Sequence, residues 1–477
     1  MNKTEFDAVV VGSGPNGLAA GITLQQAGFS VLIAEAKPTV GGGMRSQELT
    51  LPGYMHDVCS AIHPLALLSP FFKSIPLHAY GLELITPAIA AAHPFDNGSA
   101  AILNGSVKET AERMGRDKGA YLDFMEPLVR LLPGLLPDLL GPLTMPEQPL
   151  SMAKFGLKAL PSSLKTSKLF KTAEVKALWA GMAAHAMQPL ENMATSAFGI
   201  MLMAAAHLNS WPVPKGGSQS IANAMAAYFA FLGGKIQTGF EVSSLDQLPT
   251  SKAILLDVTP RQLLKIAGEK LSAVYRRKLE SYRYGMGVFK IDWALDDAIP
   301  FTAAACKHAG TVHLGNTLEE IAGYERNTAK GIHMEKPFVL LAQQSIFDKS
   351  RAPEGKHTAW AYCHVPHGSQ KDMTVEIENQ VERFAPGFRE LITGKHTMNS
   401  AKMETYNANY IGGDINGGVQ DIWQLYTRPV LSASPYRTSA KGIYICSSST
   451  PPGGGVHGMC GYHAAKQALK DVFKISN

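Results

Sequence analysis

The stretch FDAVVVGSGPNGLAAGITLQQAGFSVLIAEA, residues 6–36, admits few folds. It reads as an apolar run, a glycine-rich turn, a helical pattern, a second apolar run and a closing acid, which is a βαβ unit. Gly12, Gly14 and Gly17 supply GxGxxG. The first permits a tight turn, the second lets a pyrophosphate approach the backbone, and the third lets helix and strand pack closely. The helix N-terminus then faces the phosphates. Glu35 closes the second run eighteen residues after Gly17, where a carboxylate accepts hydrogen bonds from both adenosine ribose hydroxyls and repels a 2′-phosphate. Dinucleotide binding on a Rossmann-like α/β domain is the expectation.

A chain of 477 residues exceeds the usual single core, so two domains, or one discontinuous domain holding another, are expected. With 45% hydrophobic and 17% charged residues it reads as a globular, enzyme-like chain. A net charge of +5 without any basic run argues against nucleic acid. Five scattered cysteines with no CxxC, and no leader pattern before Phe6, predict a reducing, cytoplasmic setting. The most apolar stretch, residues 127–143, holds Arg130, Asp138 and several prolines. It predicts a buried or lid-forming helix pair, with contact to a membrane surface left open.

VGGGMRSQE follows the second strand directly, and Gly41, Gly42, Gly43 and Arg45 resemble the second glycine motif of the FAD-dependent family that includes amine oxidases and phytoene desaturases. Glycines expose backbone N–H groups to an anion, and the arginine adds charge. Past residue 70 a proline-punctuated, Leu/Met/Ala-rich region resembles an inserted substrate domain. The βα pattern returns at 211–245, and in this superfamily such a strand, here ending at Val242, touches the adenine through its backbone. Alternation in YGMGVFKIDWAL predicts a half-buried strand with Lys290 and Asp292 on one face. In HTAWAYCHVPHG, Trp360, Tyr362 and His364 share a face and could roof a pocket. The spacing of His364 and His367 lacks the thiols or carboxylates of a metal site, and none is predicted. KGIYICSSS predicts a strand, and the helix after it carries Gly461, Ala464, Ala465 and Ala468 on one close-packing face that suits the first helix.

End to end, VVGSGPNGLAA, GGGMRSQELTLPGYMHDVCSAIHP, PKGGSQSIA, LLDVTPRQLL, RFAPGF, WQLYTRPV and GIYICSSSTPPGGGVHGMCGYHAA resemble the phytoene desaturase-like FAD-dependent oxidoreductases, in the branch named for a pyridine nucleotide-disulfide oxidoreductase domain. The resemblance implies non-covalent FAD. It implies a discontinuous FAD-binding domain of residues 1–70, 211–285 and 400–477, with an α+β substrate domain of 71–210 and 286–399 carrying a mixed sheet. Gly12, Gly14, Pro15, Asn16, Gly17, Glu35, Ala36, Gly42, Gly43, Met44, Arg45 and Val242 would hold the nucleotide side, and Gly454, Gly455, Val456, His457, Gly458 and Met459 would meet the isoalloxazine. Gly458 stands where many amine oxidases place an aromatic cage residue, which disfavours a simple amine oxidase.

The implied chemistry is hydride transfer from an apolar organic substrate to flavin N5, with a proton going to a base or solvent. His457 ranks first as base by position, being kept neutral beside a helix N-terminus, or else it only packs against the cofactor. Lys290 either holds a water against N5, as in many amine oxidases, or is a salt-bridged sheet lysine. His56 and His63, flanking Asp57, are further candidates or shape the loop over the flavin, while Cys59 and Cys460 read as small fillers. A flavin-dependent isomerase without net redox, or a flavin-bound interaction module, remain alternatives. The electron acceptor, whether oxygen, quinone or a protein, stays open.

Overall fold

A computed structural model describes residues 5–475. Two sheets organise it. The first is wholly parallel, with strands in the order Ile443–Ile445, Ala253–Leu256, Ala8–Val11, Val31–Ala34 and Lys235–Gln237, drawn from three distant parts of the chain. Ala8–Val11 is buried throughout, as a parallel strand covered on both faces must be. Helix Pro15–Gln26 opens with Pro15, whose missing N–H costs nothing in a first turn. It packs against the closing helix Met459–Asp471 along Gly461, Ala464, Ala465 and Ala468. A methyl built on Gly461 would collide with the Asn16 carbonyl, so only glycine allows this approach.

The second sheet has seven strands in the order Ile392–Met398, Gly287–Leu295, His357–Val365, Val339–Ala342, Ala309–Leu314, Ile89–Pro94 and Ala100–Asn104. It is mixed: only Ala309–Leu314 and Ile89–Pro94 run parallel. Helices between residues 118 and 209 cover its far side and one wall of a large cavity.

Three local expectations are corrected. Lys118–Leu139 is one continuous helix, not a pair, despite Pro127, Pro133 and Pro137 inside it. Its buried stripe of Tyr121, Phe124, Met125, Leu128, Leu132, Leu135 and Leu136 outweighs the prolines. Each interior proline costs about 3 kcal/mol, and each buried large side chain returns about 1.5–3 kcal/mol. The strand assigned to Val242 ends at Gln237, because Gly239 turns left-handed at φ +69° and the chain continues beside Glu35, with Phe240 N–H donating to the Glu35 carbonyl at 2.9 Å. Gly287–Leu295 is buried on both faces rather than half-buried. On one side Trp293 Nε1 donates to Glu378, and on the other Lys290 and Asp292 are sealed beneath His56.

A buried ion cluster ties the loop at 57–63 to this frame. Arg351, fully buried, donates from Nη1 to Asp57 at 3.1 Å, from Nε to Asp348 at 3.0 Å and from Nη2 to the Pro214 carbonyl at 3.1 Å. Asp57 also accepts from Ser46 Oγ and the Ser218 N–H, each at 2.7 Å.

Candidate functional site

The C-terminal ends of the parallel strands open into a single cavity of about 940 Å³. Its nucleotide-side wall includes Gly12–Asn16, Glu35, Ala36, Gly42, Gly43, Arg45, Val242 and Asp257, and it continues past Gly454–His457. The opposite wall is largely apolar, with Leu139, Leu140, Met152, Phe155, Ala197, Phe198, Trp211, Leu340 and Trp360 among its members. Fourteen of the eighteen cofactor residues expected from the sequence line this space. Gly17, Met44, Gly458 and Met459 do not. Gly17 lets the helix lie on the Gly12 turn, Met44 and Met459 are core residues, and Gly458, left-handed at φ +69°, packs against Phe71 and Ala19. An aromatic side chain has no room there.

Glu35 and Arg45 take partners other than those expected. Glu35 Oε2 accepts from the Ser13 N–H at 2.9 Å and Ser13 Oγ at 2.5 Å, and Oε1 from the Lys37 N–H at 2.8 Å and Arg45 Nη2 at 3.0 Å. Ribose hydroxyls would share a carboxylate already held in place. Arg45 also donates to the Thr39 and Gly42 carbonyls. It therefore braces the second glycine turn instead of presenting a free charge.

Sequence reasoning misses Asp257. Its Oδ2 accepts the Gly17 N–H at 3.0 Å, so a carboxylate already sits at the first turn of the helix expected to face a diphosphate. Burial, with Glu35 nearby, raises its pKa to about 7 despite that hydrogen bond. A signal for it exists: AILLD ends an apolar run with an acid just as VLIAE does.

The four candidate catalytic residues separate. His457 lines the cavity, but its Nδ1 accepts the Met459 N–H at 3.0 Å and its Nε2 donates to the Gly453 carbonyl at 3.2 Å. Both ring nitrogens serve the turn and helix start, and burial pushes its pKa down to about 4. A base needs a free lone pair, and in this arrangement neither ring nitrogen of His457 offers one. His63 also lines the cavity. Ser218 Oγ donates to the Ser60 carbonyl at 2.7 Å, so His63 Nε2 must donate to that hydroxyl at 2.8 Å, leaving Nδ1 bare and sealed in protein. His56 lies outside the lining, with Nε2 at 2.8 Å from Thr50 Oγ1 and Nδ1 turned to Asp292. Lys290 lies outside it too, its ammonium paired with Asp292. Tyr362 and Trp360 do roof the cavity, whereas His364 turns to Glu325 at 2.8 Å.

A further histidine does reach the cavity. His185, at the C-terminal cap of helix Ala173–Ala184, lines it while its Nε2 lies 3.0 Å from His313 Nε2. In the sequence it is a lone histidine in an Ala/Met run, which carries no signal of its own.

The site holds the features of a cofactor cradle: close backbone approach at Gly14 and Gly42, a buried unpartnered Oδ1 on Asn16 at the helix start, and a fixed acid at the second strand end. Residues 10–72 match the model of the NAD(P)-binding Rossmann-like domain. The pyridine nucleotide-disulfide oxidoreductase domain-containing protein 2 of Rattus norvegicus is 25% identical, covering 98% of this chain and 94% of its own. A limonene dehydrogenase chain from Castellaniella defragrans is 22% identical over 98% of this chain and 95% of its own. A putrescine oxidase solved with putrescine superposes at a TM-score of 0.61 with 15% identity, covering 98% of this chain and 99% of that one. The chain shares the fold of that putrescine oxidase. Among its relatives and structural neighbours are proteins named as a pyridine nucleotide-disulfide oxidoreductase domain-containing protein, a limonene dehydrogenase subunit, a putrescine oxidase and a cyclohexylamine oxidase.

Proposed function

We propose that the protein is an FAD-dependent oxidoreductase that passes hydride from an apolar organic substrate to flavin N5. The observation that carries this reading is one continuous cavity joining the glycine cradle at Gly12–Asn16 to an apolar wall of Met152, Phe155, Phe198 and Trp211. Residues 1–70, 211–285 and 400–477 would hold the cofactor, and 71–210 with 286–399 would shape the substrate wall. FAD, when bound, supplies the hydride acceptor. Ser13, Gly14, Asn16, Gly42 and Gly43 would hold its diphosphate side, and Gly454–Val456 its ring side. The chain's own contribution is orientation and exclusion of water by the apolar wall. A relative named for limonene, a hydrocarbon, supports an apolar substrate. Purified protein is expected to show flavin absorbance at roughly 450 nm and to release FAD on denaturation. Protein without that absorbance, and refusing added FAD, would sink the proposal.

The same reading includes contact with a membrane. Helix Pro149–Ala159 turns Met152, Phe155 and Gly156 to the cavity, yet exposes Leu150 and Leu157 on its outer face. Leu143, Leu160 and Met193 are also exposed nearby. Residues 143–176 hold six lysines against Glu147 and Glu174, so this stretch carries +4 of the chain's +5. Apolar tips ringed by lysines suit an anionic bilayer. Flotation with phosphatidylserine-containing vesicles should carry the protein, pure phosphatidylcholine vesicles should carry much less, and the double change Leu150→Glu, Leu157→Glu should abolish it. Flotation unaffected by that change would remove the helix as the contact.

A further inference from the structure

Within the substrate wall, polar groups are few, and the paired histidines at 185 and 313 are the most constrained of them. His313 is fully buried, and its Nδ1 has no hydrogen-bond partner among the described residues. His185 stands half-buried at the cavity surface, with the Trp211 ring edge-on at 5.9 Å. Phe338 packs on the other side of His313 at 5.8 Å. Burial in this apolar setting, reinforced by His364, pushes His185 down to about 3, and burial holds His313 well below its ordinary range. Both rings are therefore neutral at pH 7, and the contact between the two Nε2 atoms holds one proton.

Which ring owns that proton follows from the far side of His313. If His185 donated, His313 would carry its remaining hydrogen on Nδ1, leaving a buried N–H without an acceptor. If His313 donates, its Nδ1 is a bare lone pair, and an unmet buried acceptor is tolerated better than an unmet N–H. His313 thus donates, His185 Nε2 accepts, and His185 Nδ1–H is left to face the cavity.

We infer that His185 is a hydrogen-bond donor for an oxygen acceptor on the substrate, held in that tautomer by His313, so that the cavity takes an apolar molecule bearing a carbonyl or hydroxyl oxygen and turns away alkylammonium ions. An ammonium group offers only donors, and at His185 Nδ1–H it would meet another donor. Of the carboxylates lining the cavity, Glu35, Glu241 and Asp257 lie on the nucleotide side, and Asp138, near the residue 140–146 loop, accepts the Glu147 N–H through Oδ2 at 3.1 Å. The inference rests on reading the apolar wall as the substrate's, and it separates this chain from its structural neighbour that binds putrescine.

The test uses the full chain and needs no flavin chemistry. Because Trp211 lies against His185 and Trp360 lines the same cavity, tryptophan fluorescence reports occupancy. Titration with 2-decanone should saturate at a concentration at least tenfold below that of decylamine, whose amine is protonated at pH 7. His185→Phe should weaken 2-decanone at least tenfold while FAD loading is retained. His313 acts as a positioning residue: His313→Gln, whose amide still donates to His185 Nε2, should keep ketone binding, and His313→Leu should lose it tenfold. Decylamine binding as tightly as the ketone overturns the inference without any variant, as would Gln and Leu behaving alike at 313. Because FAD loading is read separately by absorbance, failure of the cofactor reading and failure of this one are distinguishable.

Discussion

Replacing Arg351 by methionine is expected to destabilise the protein by about 3–5 kcal/mol, the cost of leaving buried carboxylates without their cation. Arg351 is the only cation drawn to both Asp57 and Asp348 in the ion pairs recorded for the described residues, and all three side chains are buried. The loss also reaches the cavity, because Asp57 holds the Ser218 N–H and Ser218 orders His63 and the Ser60 carbonyl. Urea unfolding of wild type and variant gives the difference. Adding Asp57→Asn to Arg351→Met should recover part of it, since one unpaired charge is removed while most hydrogen bonds persist. A loss below about 1 kcal/mol would show that the cluster is replaceable by packing alone, and no recovery in the double variant would show that the unpaired Asp57 charge is not the source of the loss.

The second large effect belongs to Asp257. Its carboxyl titrates at about 7 in the folded chain against a reference of 3.8, so folding takes up a proton between those values. The sign follows: for an acid whose pKa is raised, stability is whole below 3.8, falls as pH rises through the interval and levels off above about 7. Asp257→Asn keeps an oxygen for the Gly17 N–H and has no charge to bury. Its stability relative to wild type should therefore grow by about 2–3 kcal/mol between pH 5 and pH 8. The same carboxyl lies at the turn proposed for the diphosphate. FAD affinity of the wild type should fall as pH rises above 7, by as much as about tenfold per unit, while the variant stays flat. Parallel unfolding profiles and parallel FAD affinities from pH 5 to 9 would show that Asp257 does not hold its proton there.

The first βαβ unit was legible because its signals are local: strand, glycine turn, helix and acid stand within thirty-one residues. The small-residue face of the closing helix was legible for the same reason, its spacing being intrinsic to one helix. What the sequence concealed depends on partners far away. The continuity of Lys118–Leu139 through three prolines is set by what its inner stripe buries. Both faces of Gly287–Leu295 are covered by elements that no alternation pattern reports. His457 lines the cavity, yet its position in the sequence does not reveal that the Met459 N–H and the Gly453 carbonyl occupy its nitrogens. His185 was invisible because its role arises from His313, a residue 128 positions later in the chain.

The meeting of Gly461 with the Asn16 carbonyl also sets a timetable for synthesis. The two residues are more than four hundred positions apart, and a ribosome adding about 5–20 residues per second needs roughly 20–90 s between them. Through that interval Asn16, Ala19 and Ala20 of the first helix await the cover of the closing segment, and the edge strand Ile443–Ile445 emerges only near its end. Capture of the proposed cofactor would consequently be a late event in the life of the nascent chain. The N-terminal glycine turn, made first, gains its packed neighbour only when the closing helix arrives.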